Sequence, residues 1–135
     1  MVSDKYQVRA KGKINEITRQ PIKGRKRGGG IRVGEMERDA LIAHGATWNV
    51  NDRLFHSSDF HTARMCKRCC QIIGVAPTQR SEEDKKSGKA GRYVCRICGQ
   101  EDEIISVHVP YVLYYMLCEL MSMGIRLDLS AVSGV

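Results

Sequence analysis

The chain is short of the residues that fill a large core. Of 135 residues only two are Phe, five Tyr and one Trp, while thirteen are Gly. One domain, or two small units sharing a core, fits this length, and the composition implies a thin core helped by a metal, a partner or both. A long hydrophobic run is also missing. The longest apolar stretch, near Val109–Met123, is too short to span a bilayer and contains Glu119. Met1 is followed by Val2-Ser3-Asp4-Lys5 rather than an apolar segment, so no secretory signal is expected and the chain reads as intracellular. No G-x-x-x-x-G-K-[S/T] loop is present, which argues against an NTPase. Internal repeats are absent as well.

What is present is positive charge, confined to one end. Residues 1–32 hold ten Lys or Arg against Asp4 and Glu16, a balance of +8, whereas residues 33–135 hold twelve basic and thirteen acidic side chains, a balance of −1. Such segregation suits a surface that tracks phosphates, with a disordered basic tail as the alternative. Within it, residues 19–32 (RQPIKGRKRGGGIR) mix cations with glycine. Glycine lets backbone approach a polyanion, and Arg25, Lys26, Arg27 and Arg32 supply phosphate contacts. No aromatics interleave, so stacking on single-stranded bases is disfavoured and backbone contact to a duplex or hybrid fits better. A nuclear-localisation patch has a similar composition.

The pattern along the chain is mixed, and the expected fold class is α+β. A small irregular basic N-terminal segment covers 1–34, broken by Gly12, Pro21, Gly24 and Gly28–Gly30. A short helix is predicted over 35–45, with Glu35, Glu37 and Asp39 at its positive end and Gly45 as its stop. A second is expected over 47–56. Residues 77–91 are a polar loop, and 104–109 a strand. Pro110 is placed at the first position of a helix running to Met123, with an apolar stripe of Val112, Met116, Leu120 and Met123 widened by Leu113 and Leu117. A short final strand over 125–129 precedes a frayed tail. The chain divides by role into 1–54, a basic loop with its helix region, and 55–135, a zinc-ribbon region.

Six cysteines in a reducing compartment favour metal over disulfides. Cys66-Lys-Arg-Cys69 and Cys95-Arg-Ile-Cys98 place two thiolates on each of two tight turns, with 25 residues between. Four sulfurs at about 2.3 Å make one closed, structural zinc site with no open position for catalysis. Lys67, Arg68 and Arg96 offset the net negative charge of zinc with four thiolates. Gly99 suits the turn after the second pair. Cys70 does not suit the first, so that turn is distorted or Cys70 competes as a ligand. His61 could substitute for a thiolate, or be an ordinary exposed histidine. Cys118 reads as core.

The stretch GGGIRVGEMERDALIAHG at 28–45, with TRQPIKGR before it and DRLFHSSD after it, resembles the last conserved block of the second-largest subunit of eukaryotic RNA polymerases. The order then matches onward through both CxxC pairs and VPYVLYYMLCELMSMGIRL. MVSDKYQVR, the GIR before GEMERDAL, and VPYV…IRLDL are most like the polymerase I form. The resemblance implies that Lys5, Arg9, Arg25, Arg27, Ile31 and Arg32 contact the DNA template or RNA–DNA hybrid. It implies that the ribbon joins the clamp against the largest subunit, beside the rest of the second-largest subunit, in the nucleus and nucleolus. Catalytic residues are not expected here. The magnesium of nucleotidyl transfer belongs to the assembled enzyme, and Glu35, Glu37 and Asp39 read as helix-end and ion-pair residues. Val33 stands where the family has Phe, and the loop between the cysteine pairs is longer than in the polymerase II form. Two alternatives are a free-standing zinc-ribbon nucleic-acid-binding protein and a nonfunctional or separately encoded fragment of a split subunit.

Overall fold

A computed structural model describes residues 1–78 and 92–131. The fold is α+β. Its helices are α1 (Glu35–Ala43), α2 (Thr47–Asn51) and α3 (Tyr111–Ser122), and its strands are β1 (Phe60–Cys66), β2 (Val75–Pro77), β3 (Tyr93–Cys95) and β4 (Ile104–Pro110). β1 pairs with β4, and β2 pairs antiparallel with β3 in the register Val75–Cys95, Ala76–Val94 and Pro77–Tyr93. Of the expected polar loop, Pro77 closes β2 and Thr78 follows it. The remainder, and the tail from residue 132, lie outside the described residues.

The chain forms two compact units. The first combines Met1–Phe60 with Pro110–Tyr115, and the second combines His61–Val109 with the residues from Met116 onward.

In the first unit the basic segment has no regular period but is folded. Ile14 bridges Pro21, and the turn between them is closed by the Asn15 amide on the Gln20 carbonyl (2.8 Å). The Asn15 carboxamide oxygen accepts from the Ile17 and Thr18 amides (2.9 and 3.1 Å). Arg19 takes a left-handed conformation (φ 54°) and carries its guanidinium 4.3 Å above the Tyr111 ring. Farther on, Arg25–Arg27 make a single 3-10 turn between Gly24 (φ 108°) and Gly28 (φ 67°), and Lys23 bridges Gly30. α1 starts where the Gly34 amide donates to the Glu37 carboxylate (3.0 Å), and Gly45 (φ 70°) ends it. The 47–56 segment is α2 followed by a π-helical turn over Asp52–His56, not one continuous α-helix. Aromatic contacts then form among Phe55, His56 and Phe60, with ring centroids 4.9–5.3 Å apart.

Helix α3 starts one residue later than expected, because Pro110 ends β4 and Tyr111 opens the helix. The reason is Asp59, a buried carboxylate in the loop before β1. Its carboxylate accepts from the Val112 amide (3.0 Å) and its carbonyl from the Tyr111 amide (2.9 Å). Two of the donors that a helix start leaves unpaired are thus met from a distant loop.

Every buried apolar side chain among the described residues is in the second unit: Ala63, Met65, Cys66, Ile72, Cys95 and Leu117. Ala63 and Met65 are two apart on β1 and so share a face. On α3 the inward residue is Leu117, while Val112, Met116 and Met123 of the expected stripe are exposed. α3 is apolar on nearly every side, so periodicity alone cannot choose the buried face.

The expected strand over 125–129 is not formed. That segment runs instead as an irregular strap along the first cysteine turn. The Leu129 amide donates to the Cys70 carbonyl (2.9 Å). The buried Gln71 carboxamide donates to the Leu127 carbonyl (2.6 Å) and the Asp128 carboxylate (3.0 Å). The Arg126 guanidinium reaches the Cys69 carbonyl (3.2 Å). Its hydrogen bonds go to a turn rather than a neighbouring strand, so the alternating pattern has no ladder to join.

Candidate metal centre and basic loop

The two CxxC turns are built alike. The Cys66 amide donates to the Gln71 carbonyl (3.0 Å), and the Cys95 amide to the Gln100 carbonyl (2.9 Å). Each turn therefore closes over six residues and points its amides back at the first sulfur. The Cys66 sulfur faces the Cys69 and Arg68 amides, and the Cys95 sulfur faces the Cys98 and Ile97 amides. The position after each pair needs a left-handed backbone. Gly99 supplies it at φ 72° and Cys70 at φ 54°. The first turn is therefore not distorted. It adopts the same shape with a residue that has a Cβ.

The four sulfurs of Cys66, Cys69, Cys95 and Cys98 lie within 4.8 Å of one another. Cys66 and Cys98 sulfurs are 3.6 Å apart, and those of Cys69 and Cys95 are 3.8 Å apart. A tetrahedron with metal–sulfur bonds of about 2.3 Å has edges of about 3.8 Å. No disulfide joins the four, and these two separations match the edges of such a tetrahedron. Cys66 and Cys95 are fully buried, and Cys69 and Cys98 half-buried. Neither Cys70 nor His61 joins them. The Cys70 thiol turns to the Lys67 carbonyl (3.3 Å), and His61 lies on β1 outside the group.

The cage also shapes the acidity of its thiols. Burial pushes Cys66 above the ordinary thiol range, despite the amides aimed at it. Cys69 is pushed up to about 12, first by its hydrogen bond with Cys98 and then by burial. Burial acts upward most strongly on Cys95 too, but the Cys98 and Ile97 amides together with the Cys98 and Cys66 side chains outweigh it and bring that thiol to about 7. A metal ion held by the four sulfurs would replace the shared protons, and four soft sulfurs are a donor set that suits zinc. Lys67, Arg68 and Arg96 are exposed on the turns. Gly74 packs beneath the second turn: its carbonyl accepts from the Arg96 amide (2.8 Å), and a Cβ there would lie 2.6 Å from Ile97 Cδ1.

Of the residues expected to meet nucleic acid, Lys5, Arg25, Arg27, Ile31 and Arg32 are exposed, Ile31 at 70%. Arg9 is half-buried and donates to the Gly28 carbonyl (2.7 Å) and the Lys13 carbonyl (3.0 Å). Gly29 is buried, and a Cβ there would come within 2.5 Å of the Ile22 carbonyl oxygen. Gly29 is therefore a packing requirement of the loop itself, whereas Gly28 has open space and is favoured by its left-handed backbone (φ 67°). The acidic residues of α1 have other employment: Glu37 caps the helix and Asp39 pairs with Arg38 at 2.7 Å. Sequence reasoning did not find Gln7, Asp59, Gln71 or Arg126, whose partners are distant in the chain and leave no local signal.

Comparison with known proteins gives a consistent result across the chain. Residues 29–132 match the family model of RNA polymerase Rpb2, domain 7, and residues 1–27 match Rpb2, domain 6. The chain is 50% identical over 129 residues to a DNA-directed RNA polymerase I subunit of Dictyostelium discoideum, 46% identical to one from Arabidopsis thaliana, and 44% identical to one from Homo sapiens. These matches cover 96–98% of this chain but only 11–12% of each relative.

Proposed function

Because this chain belongs to the RNA polymerase Rpb2 family, we propose that it acts as part of the second-largest subunit of DNA-directed RNA polymerase I. In that setting the largest subunit and the rest of the second-largest subunit are its partners, and nucleotidyl transfer on a DNA template is the shared activity. The chain contributes position rather than chemistry. The observation that carries this reading is the pairing of a folded, outward-facing basic loop with a closed four-thiolate cage on one short chain.

The roles divide as the charge does. Residues 1–54 provide the nucleic-acid face, on which Lys5, Arg25, Arg27, Ile31 and Arg32 meet the template and the RNA–DNA hybrid, and Arg9 belongs to that face through its bonds to the Gly28 and Lys13 carbonyls. Residues 55–135 provide the clamp-associated part, in which Cys66, Cys69, Cys95 and Cys98 hold one structural zinc. Zinc supplies cross-linking of two turns that the thin core alone would hold weakly. Catalytic magnesium belongs to the assembled enzyme. A nuclear and nucleolar location follows from polymerase I. Among the described residues no helix is long and apolar enough to cross a membrane.

The apolar surface that stays uncovered supports this reading. Met36, Trp48, Ile31, Met123 and Val8 are each at least 65% exposed, against six buried apolar side chains in all among the described residues. So much apolar exposure is expected of a surface covered in an assembly. The test is affinity purification of the tagged chain from its own cells, with mass spectrometry of co-purifying proteins and of zinc. Recovery of the polymerase I largest subunit with one zinc per chain is expected. A chain that comes down alone, still with one zinc, would favour the free-standing binder.

A further inference from the structure

We infer that Arg9 serves the basic loop as a brace rather than as a phosphate ligand, together with Gln7, so that these two residues set the geometry in which Arg25–Arg27 meet nucleic acid. The inference rests on the nucleic-acid reading of the loop.

Gln7 and Arg9 are neighbours along an otherwise exposed stretch, and both are half-buried. The Gln7 carboxamide donates to the Gly29 and Gly30 carbonyls, both at 2.9 Å. Arg9 donates to the Gly28 carbonyl through one nitrogen and the Lys13 carbonyl through another. All three glycine carbonyls are thus taken by two side chains from a segment about twenty residues earlier. Space is cleared for them. The Arg9 stem passes Gly30, and a Cβ on Gly12 would lie 2.9 Å from the Arg9 Nη1 that reaches Gly28.

The braced glycines are the exit of the Arg25–Arg27 turn. Gly28 is left-handed, and the Gly29 amide closes back on the Gly24 carbonyl (2.9 Å). A loop of three glycines has many conformations available, and fixing it beforehand removes an ordering cost that binding would otherwise bear. The fork of Arg9 is suited to this because one planar group can bond two carbonyls in fixed directions. A lysine offers one charge and no fork.

The experiment uses the chain as it purifies from its own cells with its accompanying subunits, and a short RNA–DNA hybrid as the probe, titrated over a salt series. The variants are Arg9→Lys, Arg9→Ala, Gln7→Ala, the Arg25→Ala/Arg27→Ala pair, and each of the first three combined with that pair. A brace predicts that Arg9→Lys and Arg9→Ala weaken binding alike, by about five- to tenfold. It predicts that Gln7→Ala, which removes no charge, also weakens binding. It predicts that all three lose most of their effect once Arg25 and Arg27 are gone, because coupled residues are not additive. A direct phosphate contact predicts the reverse. Arg9→Lys would then bind as the parent does, Gln7→Ala would be silent, and Arg9→Ala would cut the salt slope by about 0.7–0.9 in either background. That result overturns the brace. If the Arg25→Ala/Arg27→Ala pair itself leaves affinity and salt slope unchanged, the nucleic-acid reading of the loop fails, and the brace with it. Unchanged zinc content in each variant checks that the second unit is intact.

Discussion

Cys70 and Gly99 occupy equivalent places after the two cysteine pairs, and both are left-handed. A residue with a Cβ is strained there by roughly 1–2 kcal/mol, whereas glycine is not. Replacing Cys70 by Gly relieves that strain, less the extra chain entropy of glycine in the unfolded state. The expected outcome is a gain of up to about 1 kcal/mol in denaturant unfolding of the zinc-loaded chain. Zinc stoichiometry should stay the same, and its loss would show that Cys70 is a ligand after all. Asp59 acts in the opposite direction. It is 4% exposed and bonds the α3 start through both carboxylate and carbonyl. Asp59→Ala is expected to cost about 1–2 kcal/mol, and Asp59→Asn less, because the amide oxygen can still accept. Thermal unfolding with both variants side by side checks this.

At the scale of elements, the two cysteine turns share one design but differ in what lies against them. The first carries the 126–129 strap, pinned by Gln71. Arg126 and Gln71 together hold the Asp128 carboxyl below the usual carboxylate range, and Arg126 is raised in turn. Gln71→Ala should leave the Leu127 carbonyl without its partner and cost about 1–3 kcal/mol. It should also speed extraction of zinc by a chelator, followed by a metallochromic dye. If extraction is as slow as in the parent chain, the strap has no part in holding the first turn. Changing any one of Cys66, Cys69, Cys95 or Cys98 to Ser should abolish stoichiometric zinc, whereas Cys118→Ser should retain it. Mass spectrometry under native conditions reads both results.

For the whole molecule, charge and apolar surface point to the same conclusion. The first unit carries the excess of positive charge and buries no apolar side chain among the described residues, and its basic loop is held by hydrogen bonds such as those of Arg9. The second unit owns the small core and the thiolate cage. Reversing charge at Arg25, Arg27 and Arg32 to Glu is expected to weaken hybrid binding and to lower the salt slope by about 0.7–0.9 for each phosphate no longer neutralised. Salt titration of binding and of transcript elongation checks it. An unchanged slope would remove phosphate neutralisation from the account.

Some of this was settled by the residues alone. The CxxC spacing dictates two tight turns, and the chemistry of thiolates dictates what four of them can hold, so the cage was legible without coordinates. The concentration of Lys and Arg before residue 33 is likewise a property of the sequence, as are the α1 caps, whose signals lie within a few residues of the helix they limit. Only the tertiary structure decided which partners distant residues take. Asp59 is an ordinary aspartate until Tyr111 and Val112 arrive beside it. Arg9 reads as one more basic residue until the Gly28 carbonyl is placed against it. Residues 125–129 alternate like a strand, yet their hydrogen-bonding groups find a cysteine turn and Gln71 first. α3, apolar almost all round, could present several faces, and the packing of the second unit selected Leu117. Local signals fix turns, caps and charge because the groups involved are close in the chain. Burial and long-range hydrogen bonds depend on which segments meet, and that follows from folding the whole chain.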